Sequence, residues 1–130
     1  MKILIVDDSP ETAEVLAEGA RLFGCEQVDV VASGEDAIGK TILVDYDLVT
    51  LDIRMPGVSG LDALSVIRGI RAHSILAIIS GYLRDFDAEV FQQADVVMSK
   101  PIQLDLLKQV LQLSREIREH RRALRDLGDL

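Results

Sequence analysis

A chain of 130 residues, 48% hydrophobic but only 4% aromatic and without Trp, is sized for one domain with an aliphatic core of Leu, Ile, Val and Ala. Its 22 acidic against 14 basic residues give a net charge of −8, which argues against nonspecific nucleic-acid binding, since phosphate contacts need Lys and Arg; cations or basic partner surfaces suit it better. Cys25 is the single cysteine, so no internal disulfide can form and no zinc site is suggested, and Asp7-Asp8 cut off the apolar opening run too early for a signal core or a membrane span; a cytoplasmic protein with no membrane contact is expected.

Ile3 to Val6 read as a buried strand of a parallel sheet. Ser9 is a candidate N-cap and Pro10 suits the first helical position. The helix runs to about Phe23, with Leu16, Ala20 and Phe23 at helical spacing, and Gly24 stops it. Val28 to Val31 form a second strand. Ser33-Gly34 lead into a helix with Ala37, Ile38, Thr41 and Ile42 on one face. A third strand, Leu48 to Leu51, stops abruptly at Asp52, and Pro56-Gly57 make a turn. Ser59 can cap a helix to about Arg71 that turns Leu64, Ile67 and Ile70 inward. Ile75 to Ile79 form a fourth strand ending at Ser80-Gly81. A weaker helix pattern covers about Arg84 to Gln93, with Phe86, Val90 and Ala94 as its apolar set. Val96 to Met98 form the last strand, ending at Ser99-Lys100-Pro101, and a final helix starts near Gln103.

Five strand–helix repeats predict an α/β fold: a doubly wound parallel sheet with helices on both faces and right-handed crossovers. In such a sheet the carboxyl ends of the strands share one edge, and ligands sit where the strand order reverses. That edge collects Asp7 and Asp8 from strand one, Asp52 from strand three, Ser80 from strand four and Lys100 from strand five. Three neighbouring carboxylates cannot all stay ionised without positive charge. Their oxygen-only set suits Mg²⁺ or Mn²⁺. An acid, a hard divalent ion, a lysine and a hydroxyl are a set that handles a phosphoryl group: the carboxylate attacks, and the cations and the hydroxyl hold the oxygens. Each residue alone is weak, since paired Asp after a strand is usually a helix cap; the signal lies in all five falling at strand ends.

The stretches Ile5-Val6-Asp7-Asp8-Ser9, Leu51-Asp52-Ile53-Arg54-Met55-Pro56 with Gly60, Ser80-Gly81 and Lys100-Pro101 resemble the receiver domain of bacterial two-component response regulators over about residues 2–111. The resemblance implies a flavodoxin-like, chemotaxis-regulator-like fold with five parallel strands in the order 2-1-3-4-5. It implies Asp52 as phosphoacceptor from a sensor histidine kinase or phosphotransfer protein. Asp8, Asp52 and the Arg54 backbone carbonyl would bind the metal, with Asp7 acting through water. Lys100 would clamp the phosphoryl oxygens, Ser80 would be the switch hydroxyl, and the Lys100-Pro101 bond would be cis. The expected role is a phosphorylation-dependent switch, not a conventional enzyme: it modifies itself, reverses slowly and acts through a protein effector. The output face would combine the helix near 84–93, the fifth strand and the final helix.

The sequence departs from the family at several points. Val97 stands where the family often has an aromatic switch residue, so a rotating Tyr or Phe is absent at that position; Tyr82 is either a partial substitute or a simple loop residue. Gln93-Ala94 replace a usual Gly, and the Ser80–Lys100 segment is short, which predicts an irregular helix there. Arg54 is either a solvated loop charge or a side chain that governs how water reaches the phosphoryl group.

The division expected is a receiver over 1–112 and a helical extension over 113–130. Leu106, Val110, Leu113, Ile117, His120, Leu124 and Leu127 are spaced alternately by four and three, a heptad seam, with Glu116 and Arg121 at g and e. The first half of that stripe is expected to rest on its own domain, with little domain to cover it beyond Ser114. A homodimer through this helix is therefore expected, against the alternative of a plain surface helix. The chain reads as a stand-alone receiver; the alternatives are a receiver fragment of a longer regulator, or a receiver-like module that is never phosphorylated.

Overall fold

Three serines start the three helices that follow the first three strands. Strand β1 (Lys2–Val6) leads to α1 (Pro10–Leu22), β2 (Gln27–Val31) to α2 (Gly34–Leu43), and β3 (Leu48–Asp52) to α3 (Gly60–Ile70). Ser9 Oγ accepts the Thr12 N–H at 3.4 Å, Ser33 Oγ the Asp36 N–H at 3.1 Å, and Ser59 Oγ the Asp62 N–H at 3.2 Å. Each cap satisfies a helix-end donor that would otherwise lack a partner. Two strands, β4 (Ile75–Ser80) and β5 (Val96–Ser99), and the long helix α4 (Leu104–Leu127) complete the computed structural model, which describes residues 1–81 and 92–128. Tyr82 and all but the end of the helix expected over 84–93 lie outside the described residues.

The sheet is parallel throughout, in the order β2-β1-β3-β4-β5. Strand residues alternate between its two faces. Ile3, Ile5, Leu48, Ala77, Ile79 and Met98 meet Leu16, Ala17 and Ala20 of α1 and Leu107 and Leu111 of α4. Leu4, Val6, Val49, Leu51, Leu76 and Ile78 meet Ala37 of α2 and Ala63, Leu64 and Ile67 of α3. The aliphatic core expected from composition has one buried aromatic exception among the described residues. Tyr46 is 1% exposed and donates its hydroxyl to Asp29 on β2; burial and that carboxylate push the phenol's pKa upward.

Two inward assignments are corrected. Ile42 and Ile70 are 58% and 37% exposed. They lie on the last turns of α2 and α3, where polar contacts replace apolar packing: the Arg71 guanidinium donates to the Thr41 and Ile42 carbonyls at 2.8 and 3.1 Å.

The α4 stripe is corrected as well. The residues seated on the domain are Leu107, Val110, Leu111 and Ser114, whereas Leu106 and Leu113 of the seam are 39% and 58% exposed. Rotating by 100° per residue puts most of the seam beside the domain-facing arc rather than on it. Nor does the domain end at Ser114. Arg115 donates to the Phe23 carbonyl, Arg118 to Asp47 Oδ2 at 3.3 Å, and Arg121 to the His73 carbonyl at 2.6 Å. Arg121, read as a dimer e position, is engaged by its own domain.

Gly60 sets how closely α3 approaches β3. A Cβ there would lie 2.1 Å from the Asp52 carbonyl oxygen and 2.7 Å from Ile53 Cα, both backbone atoms. Forced overpacking of this kind costs about 1–3 kcal/mol. Gly60→Ala is expected to lower the unfolding free energy by that amount, read as a lower urea midpoint at an unchanged denaturant slope, and to displace Asp52.

Candidate functional site

Register alone assembles the site. Val6 pairs with Leu51, so the next residues on each strand, Asp7 and Asp52, stand side by side. Asp52 pairs with Ile79, and Ser80 pairs with Ser99, so Ser80 and Lys100 continue the row along the same edge. Asp7, Asp52 and Ser80 are buried, while Asp8 is exposed.

Lys100 ties the row together. Its Nζ lies 3.1 Å from Asp7 Oδ2 and 3.4 Å from Asp52 Oδ2. Its backbone N–H donates to the Ser80 carbonyl at 2.8 Å, which holds the strand end against β4. The bond to Pro101 is cis. On the far side, Asp7 Oδ1 accepts the Ser9 N–H at 2.9 Å, and Asp52 Oδ1 accepts the Arg54 N–H at 3.4 Å. Gly57 makes its turn with φ of +75°, and the loop is held by Glu35, which accepts the Val58 N–H at 3.1 Å.

Burial raises the pKa of Asp52; the charge of Asp7 adds to this and Lys100 opposes it. Partial burial pulls Lys100 down, but its contacts with Asp7 and Asp52 outweigh that and its pKa is raised, so it stays an ammonium. A cavity of about 200 Å³ opens over this pair, lined by Asp52, Arg54, Ser80, Gly81 and Lys100. All sequence-derived site residues thus fall on one edge, five around Asp52 by side chain or backbone.

Asp7, Asp8 and Asp52 each present a carboxylate oxygen within 4.8 Å of the others. Three acids facing one ammonium leave an excess of negative charge, and all donors are hard oxygens. This set fits a Mg²⁺-type ion. What sequence reasoning missed is the close packing at Gly60 behind Asp52. The signal available for it was a glycine just after a Ser cap, which pattern alone does not separate from an ordinary helix start.

A family model described as response regulator receiver domain matches residues 3–112. The chain belongs to the response regulator receiver domain family. This receiver is 32% identical over 133 residues to the transcriptional regulatory protein TcrA of Mycobacterium tuberculosis, covering 100% of this chain and 52% of that protein. It spans about half the length of the curated relatives it matches. Among solved structures it is similar to the response regulator TrrA of Thermotoga maritima in complex with Mg²⁺-BeF. The TM-score is 0.80 at 34% identity, covering 88% of this chain and 99% of that one. TrrA in complex with the histidine kinase ThkA matches with a TM-score of 0.78 at 34% identity, covering 88% and 98%.

Because the folded state raises the Asp52 pKa, its stabilising contribution is full below the unfolded carboxylate range and is lost as pH rises through the folded value. Asp52→Asn is therefore expected to melt a few degrees higher than the wild type at pH 7.5 in EDTA. The gain should shrink toward pH 4. Thermal unfolding across that range checks it, and a less stable variant at pH 7.5 would contradict the electrostatics.

Proposed function

We propose that this receiver is a phosphorylation-dependent signalling switch in which Asp52 takes a phosphoryl group from a phosphohistidine of a sensor histidine kinase or phosphotransfer protein. The observation that carries the reading is the buried Asp52 carboxylate at the cavity floor, with the Lys100 ammonium 3.4 Å away and two further carboxylates beside it. The resemblance to a regulator solved with a histidine kinase supports the donor class. Receiver domains are signalling switches rather than conventional enzymes. Among the described residues no helix is long and apolar enough to cross a membrane, and we place the switch in the cytoplasm.

In this reading an Asp52 oxygen attacks phosphorus, the P–N bond to the donor imidazole breaks, and the imidazole keeps the electron pair and takes up a proton. Lys100 holds one phosphoryl oxygen, and the Ser80 hydroxyl donates to another. Asp8, Asp52 and the Arg54 carbonyl would hold Mg²⁺ (or Mn²⁺), with Asp7 acting through water. The ion supplies charge neutralisation of the phosphoryl group when bound. The Arg54 side chain lines the cavity and meters the water that later hydrolyses the acyl phosphate. Movement of Ser80 is passed to β5 and α4 without a rotating aromatic, because Val97 is a part-buried aliphatic residue packed with Ile78 and its neighbours.

We propose further that the extension beyond residue 112 pairs two copies through the exposed seam. Leu113, Ile117, Leu124 and Leu127 are 58%, 39%, 69% and 84% exposed on a continuous helix. With Arg121 held by the His73 carbonyl, the seam's leucines and Ile117 rather than a Glu116–Arg121 pair carry the association.

Acetyl phosphate with Mg²⁺ is expected to add one phosphoryl mass to the wild type and none to Asp52→Asn. No gain with any donor would leave an inert interaction module. In the same assay Arg54→Ala should change the half-life of the modified form several-fold. Sedimentation at two concentrations should show a dimer that Ile117→Asp dissociates; a monomer at both would remove the pairing.

A further inference from the structure

The edge of the sheet opposite Asp52 carries a second concentration of charge, of the other sign. Five of the 14 basic residues fall between Arg115 and Arg125 in a chain of net charge −8. Past Ser114 the arc of α4 that faces the domain changes from Leu107 and Leu111 to Arg118, Arg121, Arg122 and Arg125. These four side chains, with His73, Ser74, Asp45 and Asp47, line a cavity of about 210 Å³ at the starts of β3 and β4.

Within this cavity the arginines divide into two kinds. Arg118 donates to Asp47, which also accepts the Lys2 N–H at 2.7 Å, and Arg121 donates to the His73 carbonyl. Those contacts fix the wall and use one guanidinium N–H group of each residue. The side chains of Arg122 and Arg125 make no hydrogen bond or ion pair with any described residue. Asp47 is already shared between two donors, and Asp45 is exposed. Four cations therefore converge where the cavity itself supplies two carboxylates, with Glu26 a third that acts on Arg118 from outside it, and most of their fork-shaped donors are unused. A helix C-terminus favours basic residues by its dipole, but the dipole alone does not require them to face one concavity with two of them pinned.

We propose that this cavity is an anion-binding site that takes a single phosphate group, either free or as the head of a small phosphomonoester. The guanidinium fork matches the paired oxygens of phosphate, and a concavity of about 210 Å³, open to solvent on the side of Arg122 and Arg125, has room for one tetrahedral group with its fourth oxygen directed outward. Binding relieves the repulsion among the arginines and clamps α4 to the starts of β3 and β4, so the ligand stiffens the lever that carries the exposed seam.

The test uses the full chain carrying Asp52→Asn, without Mg²⁺, so that the opposite edge stays silent. Amide NMR is followed during titration with inorganic phosphate or O-phosphoserine, against sodium chloride at matched ionic strength. Saturable shifts are expected at Asp45–Asp47, His73–Ile75 and Arg118–Arg125. Arg122→Gln/Arg125→Gln should weaken binding at least about tenfold, equivalent to about 1.4 kcal/mol, while its melting temperature without phosphate stays equal or rises. Tighter binding of O-phosphoserine would identify a phosphomonoester ligand, and equal binding a free oxyanion. The proposal fails if chloride reproduces the shifts, if they map instead to Lys100, or if the double variant binds as well as its parent.

Discussion

Lys100 stands between two buried carboxylates, and the carboxyl edge of the sheet is organised around that contact. Asp7 and Asp52 are forced together by the β1–β3 register, because Val6 opposite Leu51 leaves no other place for the next residue on either strand. Without a cation their mutual repulsion in a desolvated site would fall on the folded state. Losing the lysine would leave both buried carboxylates uncompensated, a cost on the order of 3–5 kcal/mol, whereas losing Asp52 leaves Lys100 its contact with Asp7; the lysine holds the edge together. The same charge that stabilises the resting site is the one that would meet a phosphoryl oxygen in the proposed switch. The Lys100 backbone bond to the Ser80 carbonyl then couples the cation's position to the end of β4.

The backbone behind that contact is made rigid by small residues and short caps. Ser9 fixes Asp7 through its N–H and starts α1 with its hydroxyl. Gly60 lets α3 begin in contact with the Asp52 carbonyl, and Gly57 turns the intervening loop. If Asp52 acts as the proposed nucleophile, it gains from this, since small misplacements cost rate steeply. On the amino edge the arrangement is looser and more polar: Arg115, Arg118 and Arg121 hold α4 by single hydrogen bonds to a carboxylate and two carbonyls.

Sequence patterns revealed the sheet and its active edge because both rest on local signals. Apolar runs ended by Asp7, Asp52, Ser80 and Lys100 mark strand ends, and a parallel α/β fold brings strand ends to one edge. Side-chain direction on helices was less legible. Ile42 and Ile70 fit an apolar face by spacing, yet Arg71 turns the last turn of α2 into a polar contact. Tyr46 escaped an aliphatic-core expectation because its burial depends on Asp29, seventeen positions away, accepting its hydroxyl proton. Arg68 is a similar case: its guanidinium gathers the Gln93 and Ser74 carbonyls and the Asp95 carboxylate. It steadies the entry to β5 where a glycine would be usual, and no short pattern announces such a hub.

The seam on α4 shows how a periodic signal can mark a stripe without saying which of the helix's residues face the domain: Leu107 and Leu111 do, and Arg121, expected at an e position, is held by the His73 carbonyl. Heptad spacing identifies a stripe, but a helix on a domain has two neighbours to satisfy, and 3.6 residues per turn lets adjacent arcs serve each one. Leu107 and Leu111 serve the core; Leu113, Ile117 and Leu124 remain exposed beside them. The arginines continue the first arc after the apolar surface ends, because the starts of β3 and β4 offer carbonyls and Asp47 rather than side chains to pack. The helix is thereby fixed in rotation along its length. A fixed rotation is what a seam needs if it is to meet a second copy in one register.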